Sequence, residues 1–91
     1  MSSISENLAR KIASNNGVYI GEDGGADPQA FAVFKIENKY FGHQNFVVAY
    51  SFDQYAAYAI DHKVVEVLWT KDHSRIDSFN AELKESLDEN Y

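Results

Sequence analysis

The sequence predicts a small α+β domain, with a sheet of three to four mostly antiparallel strands and helices packed on it in the order α-β-β-β-α-β-α. Three observations predict this. Three stretches repeat their apolar residues at helical spacing. Between them lie short runs of β-branched and aromatic residues, several apolar on both faces. No linker, repeat or low-complexity tract divides the 91 residues, so residues 1–91 read as one domain.

The elements follow in order. Ser3 and Glu6 have the Ser-x-x-Glu spacing of a capping box. The helix after them places Ile4, Leu8, Ala9 and Ile12 on one side. Asn15-Asn16-Gly17 ends it, with Gly17 suited to the left-handed position just past a helix. Val18 to Ile20 reads as a short strand, and Gly21 to Gln29 as a loop rich in Gly and acid. In the strand from Ala30 to Glu37, Phe31 and Val33 face one way and Ala32, Phe34 and Ile36 the other. Apolar residues on both faces mark a central strand. A connection from Asn38 to Gln44 leads to a return strand from Asn45 to Tyr50.

Ser51 caps the second helix, whose Phe52, Tyr55, Ala56, Ala59 and Ile60 fall at i, i+3, i+4, i+7 and i+8. Val64 to Thr70 is a strand with Val65, Val67 and Trp69 on one face. A last helix is expected from about Ser74 to Leu87, with Ile76, Phe79, Leu83 and Leu87 as its stripe. Phe34, Val48, Ala56, Ile60, Val67 and Phe79 are the expected core.

Composition narrows the chemistry. A domain this size buries only about 60 to 65 per cent of its unfolded surface. Six Phe, six Tyr and one Trp enlarge what that thin core can bury. With no Cys there is no disulfide, thiolate nucleophile or thiolate metal site. Small secreted domains are commonly disulfide-stapled, so the reducing cytoplasm is the expected compartment, a host cytoplasm if the gene is a phage's. The first twenty residues lack the basic start and apolar run of a signal peptide.

The net charge of −6 is unevenly placed. Glu22, Asp23 and Asp27 load one loop. Asp72, Asp77, Glu82, Glu85, Asp88 and Glu89 outnumber Arg75 and Lys84 in the last twenty residues. Such a field repels nucleic acid and anionic lipid and attracts basic protein surfaces.

No motif names an enzyme. Gly21-Glu22-Asp23-Gly24-Gly25 follows a strand as phosphate loops do, but places two carboxylates where phosphates would sit. The acids lack the spacing of a calcium loop. His62 and His73 flank opposite ends of one expected strand, too far apart to share a metal. No Gly-x-Ser-x-Gly occurs. Neither a cofactor, a metal nor a catalytic residue is therefore expected.

Partner-binding candidates remain. Acid near the end of the last helix opposes its dipole, leaving Glu85, Asp88 and Glu89 without a local stabilising role, and Asp77, Glu82, Glu85 and Glu89 are the expected partner-binding residues of that helix. Glu22 and Asp23 form a second group. Tyr40, with Phe41, is an aromatic anchor if exposed beside the acidic loop, and Tyr58 faces away from its helix's apolar stripe.

In length, acidity, lack of Cys and aromatic content the chain resembles small phage-encoded inhibitors of host defence, the anti-CRISPR proteins among them. The run from Leu8 to Gly25 also resembles the start of immunity proteins that block tRNA-cleaving colicins. Both resemblances imply an inhibitor whose carboxylates stand in for phosphates in the basic groove of a nuclease or defence complex. Two other readings compete. One is an adaptor whose charge only keeps it soluble. The other is a small-ligand binder with a pocket of Tyr, Trp69 and His.

Overall fold

The computed structural model describes residues 3–71. They form helix α1 (Glu6–Ser14), strands β1 (Ala32–Glu37) and β2 (Gln44–Ala49), helix α2 (Phe52–Asp61) and strand β3 (Lys63–Thr70). The sheet order is β2-β1-β3, and both pairings are antiparallel. The fold is α+β. The expected last helix, and with it Phe79, lies outside the described residues.

β1 is central, as its two apolar faces require. Ala32, Phe34 and Ile36 join Val47, Ala49, Val64, Val67 and Tyr55 in one cluster beneath α2. Val33 turns the other way and joins Ala9, Ile12, Ala30 and Trp69 beneath α1. The sheet thus lies between the two helices, and the period-two alternation of one strand feeds both clusters.

β3 departs from simple alternation. Its pairing with β1 slips twice, between Val33 and Phe34 and between Lys35 and Ile36. Leu68 and Val65 are the residues passed over. Each bulge resets the alternation. Val67 therefore packs under α2 while Trp69 packs under α1, although the sequence places both, with Val65, on one face. Val65 itself is exposed.

α1 begins one cap later than the spacing predicts. The N-cap is Ser5, whose hydroxyl accepts from the Leu8 N–H at 3.1 Å. Ser3 is not the cap because Ile4 is already committed elsewhere. Its N–H donates to the Phe46 carbonyl at 2.9 Å, forming an isolated bridge on the outer edge of β2. At the other end Asn16, not Gly17, takes the left-handed position after the cap, with φ 58°. The Gly17 N–H then reaches back to the Ile12 carbonyl at 2.9 Å. Gly17 is also left-handed, and any Cβ there would run into the Trp69 ring. The expected strand from Val18 to Ile20 reduces to one bridge, Ile20 to Ala26.

α2 lies on the sheet through Tyr55 and Ala59 of the stripe its spacing suggests, with Tyr58 joining them and Ile60 left out. Tyr55 and Tyr58 set their rings edge-on to Phe34, at 5.0 and 5.4 Å between centroids. Tyr58 is therefore half-buried, packed on Phe34 and lining the groove beside α2 instead of standing free in solvent. Ile60 is 72% exposed, and Ala56 and Val48 are only half-buried. Two tyrosines seated on one phenylalanine rotate the helix, and Ile60 swings off the sheet.

Candidate partner-binding surface

The two ends of the sheet carry different chemistry. At the end where β1 begins, the chain makes a tight acidic turn. The Gly21 N–H donates to the Gly25 carbonyl at 2.7 Å, and the Gly24 N–H to the Gly21 carbonyl at 3.0 Å. Gly24 sits at φ 83°, a conformation that a side chain would strain. Asp23 turns one carboxylate oxygen back onto the Gly25 N–H at 2.9 Å, while Glu22 is exposed with its charge free to act outward.

Further along, the Asp27 N–H donates to the Tyr19 carbonyl at 2.9 Å, holding the turn against the segment after α1. α2 starts at this same end. Ser51 caps it by accepting from the Gln54 N–H, with Tyr50 just before and Phe52 and Asp53 just after. Phe52 meets Phe31 edge-on at 5.9 Å. Tyr50 titrates above the ordinary tyrosine range, first because it is partly buried and second because the Asp27 carboxylate opposes a phenolate there. Asp27 thus lies close enough to act on Tyr50, Asp53 follows Phe52 in the first turn of α2, and Glu22 and Asp23 occupy the turn that precedes Asp27, while Ile20, Tyr50 and Phe52 are exposed. Lys71 lies at the same end, its N–H on the Phe31 carbonyl, and Lys11 lines a shallow groove beside Tyr19 and Ile20. The local balance stays negative.

At the opposite end, Asn38 organises the turn between β1 and β2. Its side-chain oxygen accepts from the Tyr40 and Phe41 N–H groups, both at 2.8 Å. Gly42 closes the turn at φ 72°. The result projects Tyr40 and Phe41, 87% and 75% exposed, into solvent. Lys39 extends its ammonium to the Ile60 carbonyl, so exposed Ile60 belongs to this end too. Tyr40 is exposed, as an anchor must be, but not beside the acidic turn. The six residues of β1 separate them by about 20 Å. Asp77, Glu82, Glu85 and Glu89 lie outside the described residues.

A groove of about 480 Å³ opens between β2 and α2, over Val48 and Ala57. Tyr50, Gln54, Tyr58, Asp61 and His62 supply its walls. The His62 Nδ1 is buried there with no hydrogen-bond partner. Trp69, expected in a pocket with Tyr and His, instead packs under α1. Among the described residues no three His, Asp or Glu side chains converge as a metal site would need, and no helix is long and apolar enough to cross a membrane.

No family model, curated protein or solved structure matches the chain.

Sequence reasoning grouped Glu22, Asp23 and Asp27 in one loop but did not bring Tyr50, Phe52 and Asp53 to the same end. The signal was present. Residues flanking a helix N-cap sit at the helix mouth, and Tyr50 and Phe52 flank Ser51. What spacing does not reveal is that the acidic turn and this helix mouth share one end of the sheet.

Proposed function

We propose that this protein is a stoichiometric inhibitor, an acidic module that occupies a basic nucleic-acid-binding surface on a target nuclease or defence complex. It acts by binding and not by catalysis. The observation that supports this reading is the Asp27 carboxylate acting on exposed Tyr50, with Glu22 and Asp23 exposed in the turn before it and Asp53 exposed beside Phe52. Charge steers the encounter with a basic surface, and the aromatic side chains provide the desolvated contact that charge alone lacks. Residues 72–91 carry a further excess of acid in the sequence.

One observation favours a second reading, an adaptor without mimicry. Tyr40, Phe41 and Ile60 form an exposed apolar end with little net charge. An adaptor would dock through these side chains and be indifferent to salt.

Affinity capture from nuclease-treated lysate of the native host, at low and high salt, separates the two. The inhibitor reading predicts a nucleic-acid-binding protein that releases at high salt and loses its nucleic-acid binding at one equivalent of this chain. A partner that stays bound at high salt, still binds its nucleic acid, and is lost in Tyr40→Ala would establish the adaptor instead.

A further inference from the structure

The groove between β2 and α2 has a composition that selects its ligand. Its lining contains a carboxylate, Asp61, and no Lys or Arg. Tyr50 and Tyr58 offer ring faces, and Gln54 offers a side-chain carbonyl oxygen that already accepts from the Tyr50 N–H at 2.8 Å. His62 contributes to the wall, with its Nδ1 sealed from the groove. At the Tyr50 end a second carboxylate, Asp27, is close enough to act on the phenol. At the Asp61 end the groove meets the C-terminus of α2, whose carbonyls carry partial negative charge and whose last turn holds no basic residue. The chain shows what this helix end accepts, for the Lys39 ammonium sits on the Ile60 carbonyl. Lys39 and Lys63 stand nearby, but neither lines the groove.

These features match one side chain. A guanidinium is planar, permanently charged and carries five donors, and it stacks on aromatic faces while pairing with carboxylate. A volume of about 480 Å³ leaves room for its three-methylene stem beside Ala57. We propose that this groove seats an arginine side chain of the basic protein partner, with Asp61 pairing the guanidinium and the Tyr50 and Tyr58 rings packing against it. The inference rests on the inhibitor reading above, since it names the side chain by which a basic partner is held.

The test uses the full chain and a blocked peptide, acetyl-Gly-Arg-Gly-amide, titrated while the side-chain resonances of Gln54, Tyr58 and His62 are followed by NMR. The expected result is saturable shifts at these three residues. A citrulline peptide, equal in shape but uncharged, should give none. Asp61→Asn should weaken arginine-peptide binding about tenfold, near the worth of one charge-assisted hydrogen bond. Its unchanged melting temperature would show that the fold is intact, because Asp61 is exposed. Shifts confined to the Glu22–Asp23 turn would overturn the proposal, as would equal binding of the citrulline peptide or full binding by Asp61→Asn. Should the groove fail while salt-sensitive capture of a basic partner succeeds, only the arginine seat is lost and the inhibitor reading stands.

Discussion

Phe34 is the side chain on which sheet and helix close together. It is fully buried, pairs across β1 with Val47 on one side and Val67 on the other, and receives the edges of Tyr55 and Tyr58. Phe34→Ala should cost about 3–5 kcal/mol, a large share of the stability of so small a domain. Urea unfolding reads this directly, and a midpoint near wild type would refute the core. Tyr50 provides a second residue-scale test. Its pKa in the folded chain is raised, by burial and then by Asp27. The folded state therefore holds the phenolic proton more tightly than the unfolded state does. The associated stability is complete below the unfolded value of about 10 and is lost as pH climbs from there through the raised folded value. Ultraviolet titration should show a late-titrating component that is lost in Tyr50→Phe and moves only part of the way back in Asp27→Asn. Phe34 was legible in the sequence because it stands mid-strand in a run apolar on both faces. Tyr50 was not, because its environment comes from Asp27, twenty-three positions away.

At the scale of elements, the sequence correctly places both described helices, the hairpin, the central strand and the final strand. It misplaces what tertiary packing decides. Helical spacing gives α2 a stripe that includes Ile60, and that stripe is correct for an isolated helix. On this sheet Tyr55 packs as that stripe expects, but the edge-on contact of Tyr58 with Phe34 turns the helix so that Tyr58 takes the place of Ile60. Ile60→Ser should then change stability by less than about 0.5 kcal/mol, whereas Tyr58→Ala should lose about 2 kcal/mol. Comparing their urea midpoints decides between the two stripes, and a larger loss at Ile60 would restore the one read from spacing. The two bulges in β3 were likewise invisible, since no Gly or Pro marks Val65 or Leu68. Their effect is plain in three dimensions, where Val67 and Trp69 serve opposite faces. The Val18–Ile20 run is too short and too near the acidic turn to gain more than a single bridge.

Across the whole molecule, the described structure divides its surface between an acidic end with aromatic side chains and an apolar end around Tyr40, Phe41 and Ile60. The sequence made the acidic excess legible but not its geometry, because β1 carries Tyr40 away from Glu22 and the chain then returns through β2 to bring Tyr50, Phe52 and Asp53 back. The central claim is that the acidic end recruits a basic surface. Its most direct test is the association rate of the captured partner, followed by stopped flow as salt rises, for wild type and for Glu22→Lys combined with Glu82→Lys and Glu85→Lys. Steered association predicts that the wild-type rate falls roughly tenfold or more between low and physiological salt. It also predicts that the reversed variant is slow at every salt while melting near the wild-type temperature. A rate that is insensitive to salt, and equal in the two proteins, would contradict it.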